Sequence, residues 1–419
     1  MTDQTGASGP LAGVRVIDAS RILAGPFCGM LLGDLGADVI KVERPGTGDE
    51  TRAWGPPFVE QPGAGFIVAG RGADGGGARD ATYYLSVNRN KRSLTLNLGM
   101  EAARAVLARL ARSADVFIEN FRPGTQASLG ADGDTLSRLN PRLIYCSISG
   151  FGPIGPDAKK LGYDLLMQGA TGLMSTTGEP GGEPVRVGVA VVDLATGSTA
   201  AGAVLAALYA RERTGRGQRI DASLLGTGVA WMTYAAQSYF ATGRQPRPSG
   251  SGHPNLVPYQ AFQGSDGRWF LVAVGTDEQW RRFCRALELP HASDTRLATN
   301  AGRVEHRQEL IADLARRFAE APAGVWIDRL EPAGVPAGPV RELAEVFSDA
   351  QVAALGLDAM LPHPAYGPLR TVGTAFRFSE TPASLRLAPP LVGQHTDEVL
   401  AELGYDREEI RRLRAEGAV

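Results

Sequence analysis

The chain has 419 residues, a mass of 44.2 kDa, 43% hydrophobic and 21% charged residues, a net charge of −2 and a pI near 6.3. That length exceeds what one hydrophobic core fills, so more than one domain is expected, and the composition is that of a folded globular protein. The near-neutral balance excludes the basic surface that nucleic acid or an anionic membrane requires, so any bound anion must be held by local groups.

The opening "MTDQTGASGP" has neither the charged start nor the apolar stretch of a secretion signal. "GVRVIDAS" then reads as a short buried strand, "GPFCGMLLGDLGA" as a helix and "DVIKVER" as a second strand, a βαβ unit. Glu43 ends the second strand where a ribose-binding acid would stand, but the turn "SRILAGPF" lacks G-x-G-x-x-G, which disfavours a nicotinamide oxidoreductase. Residues 62 to 81, "PGAGFIVAGRGADGGGARDA", read as a mobile surface insertion without chemistry. "NRNKRS" places Arg89, Lys91 and Arg92 just ahead of the strand "KRSLTLNL". These form either a solvated basic turn or, converging with Arg44, a rim of cations for a multiply phosphorylated ligand. The helix "EAARAVLARLARS" and the strands "ADVFIENF" and "RLIYCSISGFG" continue the alternation, so the fold class is α/β with a mainly parallel, Rossmann-like sheet. Ligands on such sheets gather at the carboxyl ends of the strands.

Asp193 is the only charged residue between Arg186 and Arg211. It reads as the N-cap of the alanine-rich helix that follows, and a carboxylate stabilised there by free amides is also suited to chemistry, with small Ala195 and Gly197 leaving room for a substrate. "RTGRGQ" supplies the C-cap and turn that end this helix. "TGRQPRPSGSGHPNLVPYQAF" marks a linker or glycine loop, in which "GSGHPN", with His253, either joins domains or covers a site. "GRWFLVAVG", "DEQWRRFCRALEL" and "RQELIADLARRFAEA" suggest a smaller α/β domain, and "LVGQHTDEVLAELGYDREEIRRLRAEG" two closing helices, the first with Thr396 as N-cap. The expected division is 1–225, 226–335 and 336–419, the last part returning to the large domain. Cys28, Cys146 and Cys284 are too scattered for a zinc site or disulfide framework, which fits a reducing cytoplasm. The five histidines show no metal-ligand spacing and no G-x-S-x-G occurs, so no metal and no serine-hydrolase triad is expected. The long uncharged runs are broken by Gly, Ser and Thr, against a membrane span.

The stretches "PLAGVRVID", "LAGPFCGMLLGDLGADVIKVERPGTGDETR", "NRNKRSLTLNL", "ADVFIENFRPG", "GYDLLMQGATGLMS", "VVDLATG", "RERTGRGQ", "GVPAGPV" and "PPLVGQHTDEVL" occur in this order over nearly the whole chain. Together they resemble the class III CoA-transferases, the group of formyl-CoA:oxalate CoA-transferase. "TRAWGPPF", "YYLSVNRNKRS" and "HPNLVPYQAF" are similar to the succinyl-CoA:dicarboxylate branch, such as hydroxymethylglutarate CoA-transferase.

The resemblance implies that Asp193 is the catalytic nucleophile and that coenzyme A, as an acyl-CoA substrate, contacts Leu23, Ala24, Arg44, Leu96, Asn97, Leu98, Asn120, Phe121 and Arg122. Ser128 and Leu161 stand where the formyl-CoA enzyme has basic residues, so Arg89, Lys91, Arg92 or Arg122 is expected to pair the phosphates instead. Arg186 is the candidate for a distal carboxylate, and Tyr163, Gly250, Gly252 and His253 complete the expected substrate contacts. The resemblance further implies a homodimer of interlocked rings, each chain forming a large Rossmann-like domain, its parallel sheet built from both termini, and a small domain between. A carboxylate nucleophile suffices for this chemistry because a thiol, with a pKa near 8.5, leaves far more readily than an amine or alkoxide. Acyl-CoA racemases share the fold but carry His where this chain has Tyr163, and a phenol with a pKa near 10 is a poor base. A non-catalytic CoA-binding protein is the remaining alternative, against which the retained Asp193 argues.

Overall fold

The computed structural model describes residues 9–59 and 79–419. The chain begins with β1 (Arg15–Asp18), α1 (Ala24–Asp34) and β2 (Asp38–Glu43), then the short pair β3 (Phe58–Val59) and β4 (Asp80–Ala81). It continues through α2 (Thr82–Ser86), β5 (Lys91–Thr95), α3 (Glu101–Arg112), β6 (Val116–Glu119), α4 (Gly133–Leu139) and β7 (Ile144–Ser149). Next come α5 (Asp164–Ala170), the single turn α6 (Leu173–Thr176), the long α7 (Val191–Thr214), β8 (Arg219–Ser223) and α8 (Leu224–Trp231). Six strands form one sheet in the order β5-β2-β1-β6-β7-β8, every pair parallel. The order reverses direction between β1 and β6, which opens a crevice at their carboxyl ends.

Apolar residues alternate across this sheet. Ile17, Ile40, Leu94, Phe117 and Tyr145 face one core with α3, α4 and the closing helices Thr396–Glu402 and Arg407–Ala415. On the other face α1 lies so close to the sheet that a Cβ on Gly33 would come within 3.4 Å of Val39. Against α1 packs α7, through Gly197: a Cβ there would stand 2.5 Å from the carbonyl oxygen of Ala24. Gly197→Val is therefore expected to cost about 1–3 kcal/mol by overpacking and, if the activity implied by the resemblance holds, to lower its rate by pushing the first turn of α7 away from α1. Thermal melts and initial rates on the same preparation check this, and an unchanged rate would show that the close approach is dispensable. By length and composition α7 would pass for a membrane span, although half of its most apolar window is buried.

Several expectations need correction. The main sheet draws all its strands from residues 15–223, and the C-terminal part adds covering helices and a separate hairpin, β12 (Asp358–His363) with β13 (Gly367–Val372), because its apolar Val399, Leu400, Ile410 and Leu413 fall at helical spacing. Thr396 is not an N-cap: His395 holds that position, and the Thr396 hydroxyl accepts the Thr95 backbone N–H at 3.1 Å. Of the expected insertion, residues 62–78 lie outside the described residues, whereas Asp80 and Ala81 pair with β3, and the Asp80 carboxylate is buried against Arg52 at 2.9 Å.

The chain divides into two compact units, the first of residues up to Gly172, Val187–Tyr234 and Gln351–Val419, the second of Leu173–Arg186 and Ala235–Ala350. The divisions thus fall at 234 and 350, against the expected 225 and 335, since α8 packs with α5 and α7 in the first unit. The second unit carries a three-stranded antiparallel sheet of β9 (Tyr259–Gln263), β10 (Trp269–Ala273) and β11 (Ala337–Pro339). Its core gathers Trp280, Phe283, Phe318 and Trp326.

Candidate active site

A cleft of about 920 Å³ lies at the carboxyl ends of the strands of the first unit. Its walls come from the residues that end β1 (Ala19), β2 (Val42 to Arg44), β6 (Asn120 to Arg122) and β7 (Ile148 to Gly150), and from Leu96 to Leu98 after β5. Leu23 and Ala24 at the start of α1, Tyr163 before α5 and Asp193 in α7 also line it. The structure therefore brings together Asp193, Tyr163 and nine of the residues expected at CoA, namely Leu23, Ala24, Arg44, Leu96, Asn97, Leu98, Asn120, Phe121 and Arg122.

Arg89, Lys91 and Arg92 are the exception. In a parallel sheet the amino end of β5 and the carboxyl end of β2 lie on opposite rims, so these three cannot converge with Arg44. Each is buried and already paired. Arg89 grips Asp34 through two nitrogens at 2.9 and 2.6 Å. Lys91 donates to Asp18 at 2.8 Å, and Arg92 binds Asp38 at 2.8 Å together with Glu398 and Glu402. Arg186, Gly250, Gly252 and His253 belong to the second unit, where the Gly250 amide donates to the Gly178 carbonyl at 2.9 Å.

Asp193 sits in the first turn of α7 but does not cap it. The N-cap is Ala190, which has no capping side chain, and the cap arrives from elsewhere in the chain. Asp164, opening α5, accepts the backbone N–H groups of Val192 at 2.8 Å and Asp193 at 3.3 Å. Its second oxygen accepts from the Gln168 amide at 2.6 Å, and Gln168 in turn accepts the Val187 N–H at 2.9 Å. The Asp193 side chain is thus left free. Residue 193 is 9% exposed, and burial, then the negative charge of Asp164, pushes its carboxyl up to about 7.

The other acids lining the cleft are engaged. Glu43 is bound by Arg52 at 2.8 Å, Asp49 by Lys41 at 2.9 Å, and Glu50 pairs with Arg21. Among the described residues of the lining, Asp193 is the one acid whose carboxylate meets neither a cation nor a hydrogen-bond donor. Of the lining cations, Arg44 and Arg122 are in no ion pair among the described residues, and Lys160 pairs at the exposed surface with Asp157 at 2.7 Å. Ser128 and Leu161 line the cleft as well. Beneath it runs a ladder of alternating charge: Lys91 on Asp18, Lys41 on Asp49, and Arg52 between Glu43 and Asp80. Among the described residues no group of three or more His, Cys, Asp or Glu side chains is placed to share a metal ion.

Two residues of this neighbourhood escape a reading of the sequence. Asp164 carries a signal of sorts, an acid opening a short helix of small and apolar residues. Tyr83 carries none. It packs in one cluster with Ile22, Leu23, Ala190 and Leu194 around the turn that carries Asp193, and burial, with the charges of Asp193, Asp164 and Asp49, lifts its phenol to about 12.

Compared with known proteins, residues 11–396 match the model of CoA-transferase family III. The chain belongs to CoA-transferase family III. It is 42% identical over 412 residues to the succinyl-CoA:glutarate CoA-transferase of Mus musculus, an alignment covering 98% of this chain and 90% of that protein. It is 43% identical over 404 residues to the succinate-glutarate CoA-transferase of Agrobacterium fabrum, covering 96% and 98%. Among solved structures, a CAIB/BAIF family protein from Brucella suis superposes with a TM-score of 0.81 at 40% identity, covering 94% of this chain and 100% of that one. This family III member is a CoA-transferase enzyme, and its substrates include a CoA thioester.

Proposed function

We propose that this family III enzyme moves CoA from succinyl-CoA to a second dicarboxylic acid of glutarate type, with Asp193 as nucleophile. The observation that carries the reading is that, among the described residues of the lining, Asp193 is the one unengaged carboxylate beside acids that are already paired. An Asp193 oxygen attacks the thioester carbonyl, the C–S bond breaks, and CoA leaves as thiolate from a mixed anhydride. The thiolate then attacks the aspartyl carbonyl, releasing succinate and leaving an aspartyl-CoA thioester. The acceptor carboxylate reverses both steps, and Asp193 is regenerated as carboxylate. Holding the thiolate in the cleft between steps preserves an effective molarity of about 10⁵ M or more. The names of the relatives support the acids, and Arg186 remains the candidate for the distal carboxylate. Gly250, Gly252 and His253 are proposed to shield the anhydride.

Arg44 and Arg122 are proposed to hold the CoA phosphates, since they are the lining cations without an ionic partner among the described residues. Replacing either with Ala is expected to raise KM for the CoA thioester about tenfold and to leave KM for the free acid unchanged. A Michaelis analysis with both substrates varied checks it. The substrate reading itself is tested by mixing enzyme, succinyl-CoA and a panel of free acids and reading products by mass spectrometry. Glutaryl-CoA with equimolar succinate is expected, and transfer to monocarboxylic acids alone would overturn the assignment.

A second copy of the chain is the proposed partner. Leu165, Leu166, Tyr209, Val229, Trp231 and Tyr234 on α5, α7, α8 and just beyond are each more than half exposed, large apolar side chains of the kind a second copy would cover. The interlocked rings implied by the family supply such a cover. Cys28, Cys146 and Cys284 are free and buried, which supports the reducing cytoplasm as location.

A further inference from the structure

Between β1 and α1 the chain turns through Ser20, Arg21, Ile22 and Leu23, and Ile22 has a φ of +72°. A β-branched residue in the left-handed region is strained, by about 1–3 kcal/mol, and persists only where its surroundings hold it. Here they do. The Arg21 N–H donates to Asn120 Oδ1 at 2.8 Å, and Asn120 Nδ2 donates back to the Arg21 carbonyl at 2.7 Å. The Ile22 N–H donates to Asp49 Oδ1 at 3.3 Å. Lys41 Nζ bridges Asp49 Oδ2 at 2.9 Å and the Ser20 carbonyl at 3.1 Å, with both Lys41 and Asp49 side chains fully buried. The Ser20 N–H and hydroxyl both donate to Asp18. Three separate parts of the chain, β2, the loop after it and the end of β6, thus converge on the backbone of Ser20, Arg21 and Ile22.

What the turn fixes is the part of the cleft wall beside Asp193. Ile22, Leu23 and Ala24 line the cleft together with Asp193, and the Ile22 side chain packs in the same cluster as Ala190, the N-cap of α7, and Leu194, the residue after Asp193. A Cβ on Gly25 would fall 2.2 Å from the Ser20 hydroxyl oxygen, so α1 starts directly against the turn. Ala24 in turn meets Gly197, one helical turn beyond Asp193. We propose that the left-handed Ile22 turn, clamped by Asp49 and Asn120, is a positioning element for catalysis: its strained backbone sets the placement of the α1 start, and with it the acyl carbonyl, against Asp193. Ile22 and Asp49 act through that placement and not on the reacting bond. The proposal rests on the role assigned to Asp193.

Comparing Ile22→Ala with Ile22→Gly tests it, because the two differ by one methyl group and by the freedom to adopt a positive φ. Glycine removes the strain, so Ile22→Gly is expected to melt about 2–4 °C above Ile22→Ala. Glycine also widens the range of backbone states the turn samples between its clamps, so activity is expected in the opposite order, with kcat of Ile22→Gly about tenfold or more below that of Ile22→Ala and KM for succinyl-CoA within threefold in both. A residue that merely supported the fold would let activity follow stability, and a kcat for Ile22→Gly equal to or above that of Ile22→Ala overturns the proposal. Should Ile22→Ala not accumulate as folded protein, Ile22→Val, which keeps a branched side chain and a restricted backbone at this φ, is expected to retain kcat within twofold, and Ile22→Gly to lose about tenfold. Equal rates in that pair would also overturn it. Single-turnover trapping of acyl label on residue 193 separates the two readings. No label in the unsubstituted enzyme defeats the nucleophile assignment, whereas normal label there with the same rate of labelling in Ile22→Gly defeats only the positioning role.

Discussion

Asp193→Asn is expected to lower transfer by at least about 10⁴-fold while making the protein more stable at pH 8. The amide retains the shape of the side chain but has no anionic oxygen to attack a thioester, and no other lining acid is free to substitute, Glu43, Asp49 and Glu50 being bound to cations. The gain in stability follows from the sign of the shift. The Asp193 carboxyl titrates near 7 in the folded chain against 3.8 in its unperturbed state, so between those values the folded form binds the extra proton. Its contribution is neutral below pH 4, turns unfavourable as pH rises from about 4 to 7, and is fully unfavourable above 7, by an amount on the order of 2–4 kcal/mol. An uncharged Asn escapes it. Paired melts at pH 5 and pH 8, with coenzyme A binding measured on the same samples, check this. Equal melting of the two proteins at pH 8 would show that the Asp193 carboxylate is held without penalty.

The pH dependence of the native enzyme carries the second large effect. On the proposed mechanism only the ionised form of Asp193 attacks, so kcat/KM is expected to rise about tenfold per pH unit well below 7 and to level off above it, a difference of about 50-fold between pH 5 and pH 7. The groups facing Asp193 are Asp164 across its N–H and Tyr83 from α2. The phenol, titrating near 12, stays neutral over this range, so Asp164 is the charge that matters. Asp164→Asn keeps an oxygen for the Val192 and Asp193 amides, gives up the bond to Gln168, and removes the negative charge. Its rising limb is expected to move to lower pH. Asp164→Ala loses the cap as well and is expected to lower the plateau. A limb that stays in place in Asp164→Asn would mean that burial alone sets the titration.

Much of this was legible in the residues. The alternation of short apolar runs with helical ones announced a parallel sheet, and a lone acid in an apolar run marked Asp193. The cap assignment failed because the residue that does the capping, Asp164, stands 29 positions earlier, a distance no local pattern spans. The basic run 88–93 misled for a related reason. Its carboxylate partners Asp18 and Asp34 lie 73 and 55 residues upstream, and nothing in a string of letters reveals that strand polarity turns one end of β5 away from the cleft. Tyr83 and the Ile22 turn are features of backbone geometry and packing, which composition and spacing do not encode.

The ladder beneath the cleft bears on how such a sequence can change. Lys91, Asp18, Lys41, Asp49, Arg52, Glu43 and Asp80 are all buried, so neutralising one rung strands its neighbour as an uncompensated ion. Single substitutions there are dead ends, and variation must pass through matched double replacements. These seven positions should therefore drift as a block over time, and a redesign that transplants this cleft to another scaffold has to carry the block whole.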